Sequence, residues 1–420
     1  MSSDMPSKKD LGHVHIAIVG GGAAGMMAAI TAACQGARVT MLEQQDRAGK
    51  KILATGNGRC NLTNVHGALD NFHGADKNFI STVVGQFPVE KTVEFFHALG
   101  ACTRVEDGGR VFPLTGQAST VLDVLRFEIE RLGVALRVRT GIESISRKGD
   151  SFFLRWPGGE EQADRVVVTT GGKAAPHLGG TESGITLLKN MGHTAAPVFP
   201  ALVPLKANPH FGPKLKGVKV FAKALLAISG KPAGREEGEV LFTEYGLSGP
   251  PILQLSRSAM QARLEQQPVF LSLDLFPLWS AEQLMSNLDQ RFSAWPQAAL
   301  DRALIGLMHK RLIPTMLQEA EIAEARKPMS RVSREECIRI VHVLKNWTFE
   351  ITGSLSWKEA QVMAGGIRTS DFSALTLESQ LVKGLFAAGE VLDVVGDSGG
   401  FNLQWAWSSG YVAGLHSAQA

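Results

Sequence analysis

Three glycines near the start of the chain have the spacing of a phosphate-binding turn. Gly20, Gly22 and Gly25 occupy the glycine positions of G-x-G-x-x-G in the segment "GGGAAG". In this pattern the first glycine makes a tight turn, the second lets the backbone approach a pyrophosphate, and the third lets a helix pack closely on a strand. Glu43, at the end of the next apolar run, has the carboxylate that a ribose diol requires. These residues predict a dinucleotide whose ribose has a free 2′-hydroxyl, a property shared by NAD and FAD.

The elements that would position these residues surround them in sequence. The apolar run "VHIAIV" at 14–19 predicts a buried parallel strand, and "AAGMMAAITAACQG" predicts a helix that ends at Gly36. The run "ARVTMLE" predicts a second strand. Ala23 and Ala24 begin the helix, and a helix N-terminus offers free N–H groups and a positive dipole to phosphate. The strand–turn–helix–strand context makes the glycine spacing specific.

Two later segments predict strands that return to the same nucleotide. The run "RVVVTTGG" ends in Gly171 and Gly172, and "GLFAAGE" ends in Gly389 and Glu390. A glycine turn that includes Gly400 then begins a last helix, whose N-terminus would stabilise negative charge on a reduced ring. This split arrangement resembles the two-dinucleotide-binding-domain flavoproteins, in which the C-terminal acid reaches the ribityl or pyrophosphate part of FAD. The sequence has no second G-x-G-x-x-G with its own strand and helix, so a dedicated NAD(P)H domain is not predicted.

The composition of the chain excludes several classes of protein. The 420 residues are 44% hydrophobic and 20% charged, and the net charge is +3, which predicts a folded chain without overall affinity for nucleic acid. The four cysteines lack CxxC or zinc-like spacing, so no metal site is predicted and a reducing compartment is favoured. The polar N-terminus is not a secretory signal, and no apolar run is long enough to span a bilayer. We therefore expect a cytoplasmic protein.

Five motifs, in order along nearly the whole chain, carry a family resemblance: "GKKILATGNGRCNLTN", "PALVPL", "LFTEYGLSGPPILQLS", "AGGI" and "GLFAAGEVLDVVGDSGGFNLQWAWSSG". Together they resemble the BaiN/RdsA family of NAD(P)/FAD-dependent oxidoreductases. The resemblance implies an α/β fold with a split, Rossmann-like FAD domain of the two-dinucleotide-binding type. It also implies an inserted small β-barrel-like domain and an inserted helical domain. Many relatives have a glycine pair where this chain has Gly56 and Asn57, so a particular relative's substrate does not transfer.

The periodicity of the chain predicts where these domains change. We assign 1–193 to the first part of the FAD domain, 194–276 to the β-rich insertion, 277–352 to the helical insertion and 353–420 to the second part of the FAD domain. Strand-like runs broken by Gly and Pro support the β-rich insertion. Helical periodicity supports the next one, in "SAEQLMSNLDQRF", "ALIGLMHKRLIPTMLQEAEI" and "SREECIRIVHVLKN". Capping-box spacing at Ser280 and at Ser333 predicts two helix starts.

The segment 48–64 lacks helix or strand periodicity and predicts an irregular loop that faces the flavin. Its lysines and arginine suit the pyrophosphate, the flavin N1/O2 edge or an anionic substrate, and the alternative is a solvated basic loop. By the resemblance, Ile142 lies where related flavoproteins place backbone groups on adenine, and the last helix offers N–H groups to the flavin pyrimidine. The predicted cofactor-binding residues are Gly20, Gly22, Ala23, Ala24, Gly25, Glu43, Lys50, Lys51, Gly58, Arg59, Cys60, Asn61, Ile142, Gly171, Gly172, Gly389, Glu390, Gly400, Phe401 and Asn402.

The resemblance implies reduction of an activated C=C bond by hydride transfer from flavin N5, with NAD(P)H as electron donor. The family's substrate types are steroid-like enones and a uridine of ribosomal RNA. The expected partner is a small-molecule substrate. Two alternatives stay open: a flavoenzyme that binds RNA or the ribosome and reduces uridine, and a flavin oxidase or sensor.

Double-bond reduction also needs a proton donor. The catalytic candidates are Cys60 and Tyr245, and His177 is a third, lower-ranked candidate. The alternatives are that Cys60 fills a small apolar space, that Tyr245 packs, and that His177 lies in a surface loop. Asp393 and Asp397 flank the last glycine turn and are interpreted as caps or solvated loop acids.

Overall fold

A computed structural model describes residues 14–209 and 211–419. The polar segment 1–13, predicted not to be a secretory signal, lies outside the described residues. The chain forms two compact units, one made of Met1–Val198 with Val362–Ala420 and the other of Phe199–Gln361. Within the described part, no helix combines the length and apolar character needed to cross a membrane.

The strands are β1 (His15–Val19), β2 (Arg38–Leu42), β3 (Thr63–Asn64), β4 (Phe72–Gly74), β5 (Thr103–Val105), β6 (Arg110–Pro113), β7 (Ala135–Arg137), β8 (Ser144–Lys148), β9 (Ser151–Trp156), β10 (Gly159–Ala163), β11 (Arg165–Val168), β12 (Ala195–Ala201), β13 (Leu205–Asn208), β14 (Lys219–Ile228), β15 (Lys231–Phe242), β16 (Gly246–Ser248), β17 (Val269–Asp274), β18 (Trp347–Ser354), β19 (Val362–Ile367), β20 (Leu385–Ala387) and β21 (Val394–Gly396). The helices are α1 (Ala23–Cys34), α2 (Lys50–Ala54), α3 (Lys77–Gln86), α4 (Val89–Ala98), α5 (Ala118–Arg131), α6 (Ser183–Asn190), α7 (Gly212–Leu215), α8 (Pro250–Leu264), α9 (Ala281–Ala294), α10 (Leu300–Ala303), α11 (Ile313–Glu319), α12 (Arg334–Lys345) and α13 (Phe401–Gln419).

The first unit is organised around a parallel sheet with strand order β20-β11-β1-β2-β7. β1 is buried along its whole length, as expected for a central strand covered on both faces. Helices α1 and α13 pack together closely, because Cβ atoms added to Gly410 and Gly414 would lie 2.4 and 2.5 Å from the carbonyl oxygens of Ala24 and Ala28. The first and last helices of the chain therefore belong to one layer, and the predicted α/β Rossmann-type fold is confirmed.

The second unit contains a closed barrel with strand order β13-β16-β15-β14-β17-β18. Its core includes Phe242, Leu271, Trp347 and Phe349, and helices α9–α12 lie between β17 and β18 in the chain. The predicted barrel-like and helical insertions are thus present as secondary structure, whereas the domain boundaries assigned from the sequence stay predictions.

Two of the helix predictions in this unit are confirmed at their starts. Ser280 and Ser333 each form a complete capping box, with Gln283 and Glu336 respectively. The helical periodicity of "ALIGLMHKRLIPTMLQEAEI" corresponds to α11, which covers only Ile313–Glu319 of that stretch. Gly306 lies before α11 and has φ 84°. This conformation does not occur within a right-handed α-helix.

Candidate functional site

The first glycine turn is closely packed at two positions and open at the third. A Cβ added to Gly20 would lie 2.6 Å from the carbonyl oxygen of Thr169, and one added to Gly25 would lie 2.0 Å from that of Gly20. A Cβ on Gly22 would meet no atom within 4 Å. Gly22 caps α1 without a side-chain hydrogen bond, and the first turn of α1 has no acidic residue. Free N–H groups beside open space fit a pyrophosphate.

Glu43 ties the end of β2 to this turn. Its carboxylate accepts hydrogen bonds from the backbone N–H of Gly21 at 2.8 Å and of Gln45 at 2.7 Å, and the residue is buried. Each carboxylate oxygen keeps a further lone pair, which suits the hydroxyls of a ribose. The backbone N–H of Thr140 donates to the carbonyl oxygen of Glu43 at 2.8 Å, so the chain just before buried Ile142 lies beside the same residue.

The segment 48–64 is more ordered than its sequence predicts. It contains the short helix α2 and a 3-10 turn at Thr55–Gly58, and its position beside the flavin stays a prediction. A five-residue helix is too short to show periodicity. Gly56 and Asn57 both have left-handed backbone conformations, each with φ 55°. Asparagine is among the residues that tolerate this region, so Asn57 can adopt a conformation that otherwise favours glycine.

Asn61 carries an unpaired polar atom in this segment. Its side-chain oxygen is buried and has no hydrogen-bond partner among the described residues. A buried acceptor without a donor is costly, so Asn61 fits a site that a ligand donor completes. Together with the open N-terminus of α1, this atom supports the fit of the segment to FAD.

The three basic side chains of the segment all contact acids. Lys50 lies 2.6 Å from Asp46, Lys51 lies 2.8 Å from Glu390, and Arg59 pairs with Glu106. The Arg59 guanidinium also stacks on the ring of Phe112, 4.2 Å from its centroid. Contact of these side chains with the cofactor therefore stays a prediction. It is best supported for Lys51, because its partner, Glu390, is itself a predicted site residue.

Glu390 joins segments that are distant in the sequence. One of its oxygens accepts from the backbone N–H of Met363 at 2.8 Å. The other accepts from Lys51 Nζ at 2.8 Å and from the backbone N–H of Gly172 at 3.2 Å. Gly389, at φ 79°, packs on α1, because a Cβ there would lie 2.9 Å from Cβ of Ala24. The structure thus brings together the predicted residues of the first turn, the loop and both returning strands.

The last glycine turn is held by side-chain contacts at several points. Asn402 accepts from the backbone N–H of Gly396 at 2.8 Å and donates to its carbonyl oxygen at 2.7 Å. Asn64 Nδ2 donates to the carbonyl oxygen of Gly399 at 3.0 Å. A Cβ on Gly400, at φ 109°, would lie 2.5 Å from the carbonyl oxygen of Thr63. The first turn of α13 therefore has a fixed position against the segment 48–64.

Sequence reasoning missed His73 and Asn71 as partners of this turn. His73 Nε2 donates to one oxygen of Asp397 at 2.8 Å, and Asn71 Nδ2 donates to the other at 3.0 Å. These contacts follow from the antiparallel pairing of β4 with β21. Asp397 is thus an anchored, partly buried acid and not a solvated loop acid. Burial raises the pKa of the neighbouring Asp393.

The candidate proton donors lie in different surroundings. Cys60 is fully buried at φ 59°, and burial raises the pKa of its thiol to about 12. His177 is exposed in the 3-10 turn Pro176–Leu178. Tyr245 belongs to the second unit, between β15 and β16, where its carbonyl oxygen accepts from the backbone N–H of Ala207 at 3.3 Å. In the part of the chain that the structure describes, no group of three or more His, Cys, Asp or Glu residues is placed to hold a metal ion.

Comparisons with known proteins match nearly the whole length of the chain. The model of the HI0933-like protein Rossmann domain matches residues 14–416. The chain is 38% identical to a 3-dehydro-bile acid delta(4,6)-reductase of Clostridium scindens, over 96% of this chain and 99% of that protein. It is 29% identical to a ribosomal RNA dihydrouridine synthase of Escherichia coli K12, over 94% of this chain and 96% of that protein.

A solved structure has the same fold. The 3-ketosteroid delta1-dehydrogenase from Sterolibacterium denitrificans, in complex with 1,4-androstadiene-3,17-dione, matches with a TM-score of 0.50 and 14% identity. The match covers 96% of this chain and 99% of that chain. At this identity the likeness concerns the fold alone.

Proposed function

The chain belongs to the HI0933-like Rossmann-domain family and is an FAD-dependent oxidoreductase, and from this premise we propose that it reduces an activated carbon–carbon double bond. This family agrees with the family resemblance that the five sequence motifs indicate. The observation that carries the proposal is the 38% identity, over nearly all of both chains, to a protein named as a delta(4,6)-reductase. Shared length and motifs support a shared reaction class and leave the substrate open.

Four groups of residues would hold the cofactor. The N-terminus of α1, at Gly22, is assigned to the pyrophosphate, and Glu43 to the adenosine ribose. Glu390 is assigned to the ribityl chain, where its contacts with Gly172 and Met363 fix its orientation. The backbone N–H groups at the start of α13, from Phe401 onward, are assigned to the pyrimidine edge of the flavin, where a helix N-terminus favours negative charge.

Bound FAD would supply hydride chemistry at N5, and the chain must orient the acceptor and deliver a proton. A general acid works best when its pKa lies near the working pH. Since the Cys60 thiol has a pKa of about 12, it holds its proton too firmly for this task at neutral pH. This favours the space-filling interpretation of Cys60, and Tyr245 remains a prediction for the donor.

NADH or NADPH is the proposed electron donor. The sequence contains no second glycine motif for a nicotinamide nucleotide, so we assign transient binding beside the flavin. The test is anaerobic reduction of the FAD-loaded protein by NADH and by NADPH in parallel. The reduced protein is then mixed with enones and with uridine-containing RNA. Flavin reoxidation by an enone, with a saturated product, supports the proposal, and reoxidation by oxygen alone would overturn it in favour of an oxidase or sensor.

A second candidate function is reduction of uridine in ribosomal RNA. The observation that favours it is the 29% identity, over 94% of this chain, to a protein named as a ribosomal RNA dihydrouridine synthase. Against it, three basic residues of the helical segment, Arg326, Lys327 and Arg334, are paired with acids, which reduces the free positive charge there. Salt-dependent association with ribosomal RNA would favour this candidate. Unchanged dihydrouridine in RNA from a deletion strain would count against it.

A further inference from the structure

Asp393 lies on the stretch of chain that joins two parts of the assigned cofactor site. The stretch begins at Glu390, assigned to the ribityl chain, and ends at Phe401, the first residue of α13. Strand β19 holds both acids. Near its start, the backbone N–H of Met363 donates to Glu390 at 2.8 Å. At its end, the carbonyl oxygen of Ile367 accepts from the N–H of Asp393 at 2.8 Å. Three residues span at most about 11 Å, so Asp393 lies close to the assigned site.

The carboxyl of Asp393 differs from the other acids of this site because it lacks a partner. Within the described part of the chain its side chain makes no hydrogen bond or ion pair. Glu43 accepts from two backbone N–H groups, Glu390 from three donors and Asp397 from two side chains. A partly buried carboxyl without a donor costs free energy of folding, and structural polar groups are normally bonded. An acid in this state near a cofactor is a candidate for chemistry.

The surroundings leave this carboxyl partly enclosed but reachable. Leu392 and Val394, on either side of Asp393, are buried. The carboxyl lies against Gly74 of β4, because a Cβ added to Gly74 would lie 2.7 Å from Oδ1 of Asp393. Gly74 is exposed and has φ 102°, so a glycine leaves the room that the carboxyl occupies. Neither carboxyl oxygen is fully enclosed by protein, and a substrate or a water molecule can therefore reach it.

Burial also changes the acidity of this group. It raises the pKa of the Asp393 carboxyl, and the positive charge of Arg368 opposes that change only in part. Apart from the turn at Glu390, the elements packed on β21 are β4, β19 and α13. Their titratable residues are His73, Tyr411 and His416. The first is bonded to Asp397, and the other two lie in the second half of α13. A general acid works best with a pKa near the working pH, so the change has the required direction.

We propose that Asp393 is the general acid of the reaction and delivers a proton to the carbon of the double bond that does not receive the hydride. The proposal rests on the proposed function and adds a catalytic residue to it. One carbon gains the hydride that the reduced cofactor supplies, and the cofactor is thereby reoxidised. At the other carbon a C–H bond forms as the Asp393 O–H bond breaks. The resulting carboxylate regains its proton from water.

The first test is the oxidative half-reaction of Asp393→Asn. FAD-loaded protein is reduced anaerobically with dithionite, so that no particular nicotinamide donor is needed, and is mixed with 2-cyclohexen-1-one or with testosterone. Flavin absorbance should return more slowly by about a hundredfold or more, the usual contribution of a general acid. Asp150→Asn, at a fully exposed acid, is the matched control and should reoxidise at the unmodified rate.

Three outcomes of this test would overturn the assignment. The first is reoxidation of Asp393→Asn at the unmodified rate. The second is slowing by Tyr245→Phe in place of Asp393→Asn, which would assign the proton to the tyrosine. The third needs no variant: in the unmodified protein the rate should fall as pH rises above the pKa of the acid, and a rate independent of pH from pH 4 to pH 9 would contradict this. If neither enone reoxidises the unmodified protein, the proposed function itself fails.

The second test distinguishes a catalytic from a structural carboxyl by thermal unfolding at saturating FAD. The pKa of Asp393 in the folded chain lies above the unfolded value of 3.8. Between these values the unfolded chain binds fewer protons, so the unmodified protein loses stability as pH rises. Asp393→Asn lacks this charge, and its midpoint temperature should exceed that of the unmodified protein by more at pH 7 than at pH 4. A lower midpoint for Asp393→Asn at pH 7 would identify a structural carboxyl and overturn the proposal.

Discussion

Two glycine turns lead into helices in the first unit, and they are held in different ways. The turn before α1 is fixed by close packing of the glycine backbone at Gly20 and Gly25, with the side chains of Glu43 and Thr169 hydrogen-bonded to it. The turn before α13 is fixed by side chains from other parts of the chain, including Asn64 and the His73–Asp397 pair. The first turn depends mainly on glycine backbone packed against other backbone, whereas the second also depends on a set of side-chain hydrogen bonds from distant parts of the chain.

The largest expected effect comes from a methyl group at Gly25. In Gly25→Ala the new Cβ would lie 2.0 Å from the carbonyl oxygen of Gly20, so the turn must open. We expect a loss of about 3 kcal/mol in the free energy of unfolding and loss of FAD binding. Urea denaturation of the flavin-free protein and FAD titration measure the two effects.

Gly22→Ala is the matched control at the same turn, because its Cβ would meet no protein atom within 4 Å. We expect a change within about 0.5 kcal/mol in unfolding but weaker FAD binding, since the methyl group would occupy the space assigned to the pyrophosphate. Equal destabilisation by both variants would contradict the difference between the two positions.

The second largest effect should come from Asp397→Ala at the other turn. This change leaves the hydrogen bonds from His73 and Asn71 without an acceptor, and hydrogen bonds to charged groups are worth about 1.5–3 kcal/mol. FAD affinity should fall roughly tenfold or more, because the start of α13 loses its anchor. His73→Asn, which keeps a donor, should lose less affinity than His73→Ala. If both His73 variants bind FAD as the unmodified protein does, the turn does not depend on this pair.

The difference between the turns explains what the sequence could predict. Strand, turn and helix are consecutive around Gly20, Gly22 and Gly25, so spacing alone predicts the turn and the packing of Gly25 on Gly20, although not the contact of Gly20 with Thr169. His73 and Asn71 lie 324 and 326 residues from Asp397. Nothing in the sequence around β4 or β21 indicates that these two strands pair. The sequence alone therefore could not predict His73 and Asn71 as partners of Asp397.

The same limit applies to the basic residues of the segment 48–64. Their charge and position suggest contact with anionic oxygens, and the structure pairs each with a carboxylate instead. The Lys51 partner, Glu390, lies at the far end of the chain and was predicted for a different contact. The residue types in the sequence predict which segments form the site. The ion-pair partner of each side chain can be identified only from the folded structure.

Glu390 joins the segment 48–64 to two distant parts of the chain, through Lys51, Gly172 and Met363. Glu390→Gln replaces one accepting oxygen by a donor, so one of its present donors, Met363 N–H, Gly172 N–H or Lys51, loses an acceptor. We expect FAD affinity to fall about tenfold. Lys51→Met should change the free energy of unfolding by about 0.5 kcal/mol or less, since the lysine is 33% exposed and exposed ion pairs contribute little. A larger effect on stability from Lys51→Met than from Glu390→Gln would contradict this ranking.

A small effect at neutral pH should come from Cys60→Ala, which we expect to cost about 1 kcal/mol in unfolding and to leave the pH profile of turnover unchanged. Burial raises the pKa of the thiol from 9.0 to about 12. Between these values the unfolded chain binds fewer protons than the folded chain, so stability falls as pH rises. The alkaline loss should be smaller in Cys60→Ala, and denaturation from pH 7 to pH 11 measures it. Loss of turnover with FAD retained would instead assign chemistry to Cys60.

The central claim is that both glycine turns contribute to one FAD site. The most direct test is titration of flavin-free protein with FAD, followed by flavin absorbance, for the unmodified chain, Gly22→Ala and Asp397→Ala. We predict a single FAD per unmodified chain and weaker binding in each variant, with the flavin-free fold of Gly22→Ala preserved. FAD affinity equal to that of the unmodified chain in either variant would contradict the claim, because that turn would then lie outside the site.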